Sequence, residues 1–253
     1  MESDYTKWSP ADYLAQYYST LAVPEDEKGI LQFVLNFLLE KKQKFSEMLE
    51  VGCGPTIHHI LPFVPYVGRF YMADYLESNL QEIRKWVSNS PEAHNWTPYL
   101  SGVLALEGNT SKLALRKRER ELRKKIAGLL TCDALETNPL GWTTEFPLVS
   151  SFYCLECLGR DKDQWRQAMQ NVASLVASGG YIILSALRNA DKYIVCGREF
   201  PTTHIDENEM WETLIVCGFR PETINIHVCP CEWADEGFSS IIVCSAQKEG
   251  AHI

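Results

Sequence analysis

No run of 18 consecutive apolar residues occurs in the 253-residue chain, so no segment reads as a membrane-spanning helix. Basic residues are in short supply. The chain has 24 Lys and Arg against 33 Asp and Glu, a net charge of −9 that offers no electrostatic footprint for nucleic acid. The opening stretch MESDYTKWSPADY carries acids and no apolar core of the secretory kind. The nine cysteines are odd in number and scattered, which fits reduced thiols in a cytoplasmic protein better than a disulfide framework. Internal repeats and long linkers are also missing, and a single domain over residues 1–253 is expected, with a monomer as its working state.

What the chain does have is alternation. Ser9 and Pro10 read as the N-cap and first residue of a helix through ADYLAQYYSTL, with Asp12 completing a box-like start. EKGILQFVLNFLLEKK (27–42) is apolar at helical spacing, SEMLEV is a strand, and HHILPFV predicts a further helical stretch with His58 and His59 on its surface. RFYMAD (69–74) reads as a strand and NLQEIRKWVSN as a helix. Residues 111–130 read as a charged helix with a solvated basic face. FPLVSSF, QWRQAMQNVASLV and GGYIILSAL (179–187) continue as strand, helix and strand, and ETINIHVCP with FSSIIVCSAQK predicts an antiparallel pair. This order favours an α/β layered fold.

The stretch MLEVGCGPT places Gly52, Cys53 and Gly54 directly behind a buried strand, where a ligand can approach the backbone. Asp74 follows twenty residues beyond Gly54, at the end of the next strand, where a carboxylate can accept both hydroxyls of a ribose. A dinucleotide asks for a third glycine, and Pro55, Thr56 and His58 occupy that region instead. S-adenosylmethionine carries no phosphate and needs no helix N-terminus aimed at an anion, so it is the cofactor expected. In LLTCDALE, Asp133 is placed to accept the adenine amino group and Ala134 to touch its ring.

The motifs PADYLAQYY, EVGCGPTI, ADYLESNLQEIRKW, LEGN, CDALETNPLG and YIVCGREF resemble those of the small-molecule methyltransferases that include nicotinamide, phenylethanolamine and indolethylamine N-methyltransferases and thioether S-methyltransferase. The resemblance runs from about residue 9 to 203 and continues more weakly through the C-terminal hairpin. It implies a class I methyltransferase fold: a Rossmann-like three-layer sandwich whose mostly parallel seven-stranded sheet has a C-terminal antiparallel strand. N-terminal lid helices within residues 1–45 would close over the ligands. By position, Tyr13 and Tyr18 would reach the methionine part of the cofactor. Gly52, Cys53, Gly54 and Thr56 would line it, Asp74 would hold the ribose, and Tyr75 and Asn79 the adenosine. Cys132, Asp133 and Ala134 would frame the adenine, with Ser151 alongside. From the residues alone, Tyr13 and Tyr17 at i, i+4 suit core packing equally well.

The acceptor is a separate question. A pyridine nitrogen or thioether sulfur already has a free lone pair, whereas an aliphatic amine titrates near ~10 and must first lose a proton. Glu156 in FYCLECL resembles the acid of the phenylethanolamine pocket, which makes it the catalytic candidate together with Tyr17. Its other reading is a strand-end acid paired with Arg160. The resemblance extends the acceptor pocket to Tyr153, Ser185, Asn189, Tyr193 and a second acid, Asp235 or Glu236. Ser185 stands where nicotinamide enzymes carry an Asp, which weakens a pyridine reading. A small amine is therefore the preferred acceptor. A heteroaromatic nitrogen, a thioether, or a non-catalytic cofactor-binding regulator are the alternatives. Cys154-x-x-Cys157 with Cys229-x-Cys231 has poor zinc spacing, and no metal is expected.

Overall fold

Apolar runs bounded by turn residues become the strands of a seven-stranded sheet. The computed structural model describes residues 5, 7–159, 161–231, 235 and 237–250. In chain order the strands are β1 (Phe45–Val51), β2 (Val67–Asp74), β3 (Ile126–Thr131), β4 (Phe146–Phe152), β5 (Val176–Leu187), β6 (Lys192–Val195), β7 (Arg198–Pro201), β8 (Asn225–Pro230) and β9 (Ser240–Gln247). The main sheet runs β3-β2-β1-β4-β5-β9-β8. The pairs from β3 to β5 are parallel, and β9 lies antiparallel between β5 and β8. Both faces are covered, as parallel strands require. On β1, Met48 enters one apolar core while Leu49 and Val51 enter the other.

The helices are α1 (Pro10–Tyr17), α2 (Glu25–Lys41), α3 (Glu77–Val87), α4 (Thr97–Leu106), α5 (Lys112–Lys125), α6 (Lys162–Ala173) and α7 (Glu207–Val216). Ser9 caps α1 as its sequence predicts, its Oγ accepting from the Asp12 N–H at 3.2 Å. The second and third layers follow from helix faces. Ile30, Val34, Leu80, Ile83 and Leu122 pack on one side of the sheet, and Trp165, Met169, Met210 and Leu214 on the other.

Three local expectations change. The charged helix stops at Lys125, and Ile126–Thr131 becomes β3 because its backbone pairs with β2. HHILPFV yields only a short 3₁₀ turn, Leu61–Phe63, with Pro62 in its first turn. His58 and His59 are buried there, not presented on a helix surface, because α2 lays Glu27 against both rings. The hairpin β6–β7, which periodicity did not reveal, turns through Cys196 (φ 48°) and Gly197 (φ 75°), two positive-φ residues of the kind tight hairpins use.

Candidate active site

The C-terminal ends of β1, β2 and β4 and the loop after β3 open onto one cavity, the usual ligand position of such sheets. Its floor is the glycine turn. Gly52 (φ 66°) and Gly54 (φ 57°) both take left-handed backbone. A Cβ on Gly52 would overlap the Cys154 sulfur, whereas the space above Gly54 is open. Cys53 N–H donates to the Ala73 carbonyl at 3.0 Å, and Thr56 Oγ1 donates back to the Cys53 carbonyl at 2.9 Å.

Asp74 ties this floor to the next strand. Its Oδ2 accepts from Gly54 N–H at 2.8 Å, and its Oδ1 accepts from Leu76 N–H at 2.8 Å and Asn79 Nδ2 at 3.0 Å. Burial raises its pKa, and those three donors pull it back. On the far rim, Asp133 Oδ1 accepts from Leu135 N–H at 3.0 Å, and Asn171 fixes Ala134 through its carbonyl at 3.0 Å. Burial pushes the Cys132 thiol up to about 12, so it is a neutral wall.

The roof is the start of the chain. Tyr13, Tyr17 and Tyr18 form a ring cluster with centroids 5.3–6.5 Å apart. Trp8 Nε1 donates to Asn79 Oδ1 at 2.8 Å, and the Tyr5 hydroxyl donates to the Cys157 carbonyl at 2.8 Å. The β6–β7 hairpin clasps α1 from the other side. Tyr17 Oη (2.6 Å) and Gln16 Nε2 (2.9 Å) both donate to the Ile194 carbonyl, and Cys196 N–H donates to Gln16 Oε1 at 2.6 Å. Tyr17→Phe removes one of these bonds, a contribution of about 1 kcal/mol. The expected result is roughly a fivefold rise in acceptor KM and faster proteolysis near the N-terminus, with cofactor affinity nearly constant. Unchanged KM and cleavage would show the clasp to be incidental.

Of the cofactor residues expected from sequence, Tyr13, Tyr18, Gly52, Cys53, Gly54, Thr56, Asp74, Tyr75, Asn79, Cys132, Asp133 and Ala134 line the cavity. Ser151 is the exception: it is buried within β4 and is not among the residues that line the cavity. Among the acceptor residues, Tyr17, Tyr153 and Tyr193 line the cavity. Tyr153 does so with φ 52°, a costly backbone for an aromatic residue that turns the chain out of β4.

Glu156, Ser185, Asn189 and Asp235 are not among the cavity-lining residues. Glu156 sits in a 3₁₀ turn (Leu155–Leu158) whose Cys157 and Leu158 face the cavity, while its own fully buried carboxyl turns to the end of β5 and accepts from Leu187 N–H at 2.9 Å. Burial raises its pKa to about 7. Ser185 is buried with an unpartnered hydroxyl, Asn189 turns outward at φ 51°, and Asp235 is exposed. Arg160 and Glu236, the proposed partner and the alternative acid, lie outside the described residues.

Sequence reading missed two acids. Asp26 and Glu27, in the first turn of α2, line the cavity together with His59 and Phe238. Their run Glu25-Asp26-Glu27 suits a helix N-terminus so well that it carries no separate signal. The cavity thus has four carboxylates, Asp26, Glu27, Asp74 and Asp133, and no Lys or Arg among the described residues that line it.

The strand order with β9 reversed next to β5, the open glycine turn and the strand-end acid define an S-adenosylmethionine-dependent methyltransferase of class I. An acid-rich wall suits a sulfonium cofactor, and the open space over Gly54 admits it. The chain belongs to the NNMT/PNMT/TEMT family, whose model matches residues 1–249. It is 31% identical over 215 residues to indolethylamine N-methyltransferase of Mus musculus, covering 81% of this chain and 79% of that protein. Nicotinamide N-methyltransferase of Homo sapiens is 28% identical over 239 residues, covering 89% and 90%. Magnesium protoporphyrin IX methyltransferase from Synechocystis PCC 6803, solved with bound S-adenosylmethionine, shares the fold at a TM-score of 0.60 and 12% identity, covering 97% of this chain and 94% of that one.

Proposed function

We propose that the protein methylates the nitrogen of a small aliphatic amine, and the observation that carries this reading is the sign of the cavity. Four carboxylates and a wall of tyrosines favour cations, and no Lys or Arg among the described lining residues opposes them. Gly52, Gly54, Asp74, Tyr75, Asn79 and Cys132–Ala134 would hold the cofactor, which supplies an electrophilic methyl group when bound. Tyr17, Tyr153, Tyr193 and Phe238 would surround the acceptor, with Asp26 and Glu27 supplying negative charge. Placement and exclusion of water under α1 are the main contributions such residues make to methyl transfer.

The chain acts as a monomeric single domain in the cytoplasm. The roof over the cavity includes α1 of the same chain, and all nine cysteines are free thiols. Among the described residues no helix is long and apolar enough to cross a membrane.

Labelled S-adenosylmethionine turned over against amines, pyridines and thioethers in parallel tests the acceptor. The expected result is a kcat/KM for the best amine at least tenfold above that for the best pyridine or thioether. Turnover confined to pyridines or thioethers would overturn the reading.

A further inference from the structure

Four buried groups lead from the cavity wall into the protein. Glu27 Oε2 lies 3.3 Å from Nε2 of both His58 and His59, and His59 Nδ1 lies 3.8 Å from Glu50 Oε1. All four residues are at least 94% buried, and of them only Glu27 and His59 line the cavity. The rings are held by stacking. His58 lies parallel to Trp96 at 5.3 Å, and His59 lies against Phe152 at 4.1 Å. His58 Nδ1 and Glu50 Oε2 have no hydrogen-bond partner, and His59 Nε2 has none besides the Glu27 carboxylate it faces, so the cluster has places for a further proton.

Its charge state is defined by its surroundings. Burial, with Asp74 nearby, lifts Glu50 to about 8, which keeps it neutral at physiological pH. Burial also works against Glu27, but the two imidazoles outweigh it and hold the carboxyl far below its ordinary value. Burial and the neighbouring His59 bring His58 down to about 4 against the pull of Glu27. The other titratable groups nearby are Asp26 beside Glu27, His94 before α4, and the phenols of Tyr13, Tyr18, Tyr99 and Tyr153. Burial raises these phenols, so they stay neutral.

We propose that this cluster takes the proton that an ammonium acceptor must lose before it can be methylated, with Glu27 holding the cation at the wall and His59 receiving the proton. The inference rests on the amine reading above. One N–H bond of the ammonium breaks, its electron pair stays on the acceptor nitrogen as the attacking lone pair, and the proton passes through the Glu27 carboxyl, 3.3 Å from the ring, to form one N–H bond on His59 Nε2. The imidazolium then lies between the Glu27 carboxylate and Glu50, and the proton passes to water once the product leaves. One proton per turnover is accounted for, and no other reactant is required.

The same three side chains, Glu27, His58 and His59, are close enough together to suggest a metal ion. The ring spacing argues against one. Two imidazoles bound to one tetrahedral ion at about 2.0–2.1 Å would hold their centres roughly 5 Å apart, whereas these centres are 3.7 Å apart.

Glu27→Gln and His59→Asn test the proposal, each accepted as folded only where its S-adenosylmethionine affinity matches the parent. The kcat/KM for the best amine should fall at least tenfold at pH 7, within the roughly 10²–10⁴-fold range of general base assistance. The deficit should shrink by about tenfold per pH unit as free amine accumulates, and Glu27→Asp should recover part of the loss. A pH-independent deficit, or none, with parental amine turnover intact overturns the proton role and leaves the amine reading standing. Parental turnover of pyridines or thioethers alone removes the ammonium and overturns both. Stoichiometric zinc in the purified protein, with chelator-sensitive activity, also overturns it.

Discussion

Asp74→Ala is expected to lower the affinity for S-adenosylmethionine by roughly 10²–10⁴-fold, measured by calorimetry. Two ribose hydroxyls bonded to a carboxylate contribute about 1.5–3 kcal/mol each, and about 1.4 kcal/mol corresponds to a decade of affinity. The geometry adds a second source of loss. Asp74 accepts from Gly54, Leu76 and Asn79 at once, so the substitution also releases the brace between the glycine turn and the start of α3. Asp74→Asn keeps the shape and an acceptor oxygen, so its loss should be smaller. Equal affinity in Asp74→Ala and the parent protein would remove the ribose role.

Glu50→Gln should stabilise the fold, by an amount that depends on pH. Glu50 is 2% exposed and ionises at about 8 in the folded chain against an ordinary 4.5. Below pH 4.5 the folded and unfolded chains both carry its proton, and the residue adds no pH dependence. Between 4.5 and 8 the unfolded chain gives up that proton and the folded chain keeps it, so the parent protein loses stability by about 1.4 kcal/mol per pH unit. The total approaches roughly 4–5 kcal/mol and stays constant above pH 8. Gln fills the same space and does not titrate. Denaturant midpoints at pH 4, 6 and 8 should therefore show a gap that opens with pH in favour of Glu50→Gln. A gap of the same size at all three values would mean that the residue is not held neutral in the native protein.

The convergence of the glycine turn and Asp74 on one cavity was legible in the sequence because local patterns encode it. A glycine turn follows its strand immediately, and Asp74 ends the next strand, so period and spacing locate both. Ser151 lies off the cavity wall because its side chain is buried on a covered face of the sheet, and strand alternation alone does not say which residue of β4 is the one that reaches the cavity. The rest of the cavity depends on contacts between distant segments. Glu27 meets His58 across 31 residues, and nothing in either segment marks the encounter. Glu156 turns away from the cavity for a related reason. Its neighbours Cys154, Cys157 and Leu158 do reach the cavity, and only the rotation of a short 3₁₀ turn sends its carboxyl to Leu187 instead. The β6–β7 hairpin was hidden by its length, four residues per strand being too few for alternation to stand out.

The clasp between α1 and that hairpin joins residues 178 and 180 positions apart. During synthesis the ribosome delivers α1 first, but its partner strand only after about three quarters of the chain has been made. β9, which lies between β5 and β8, comes later still. Contacts that span so much chain close late, because each must overcome the entropy of the loop it ties off. The clasp is therefore one of the last contacts of the roof to close, over a cavity floor whose segments emerge earlier.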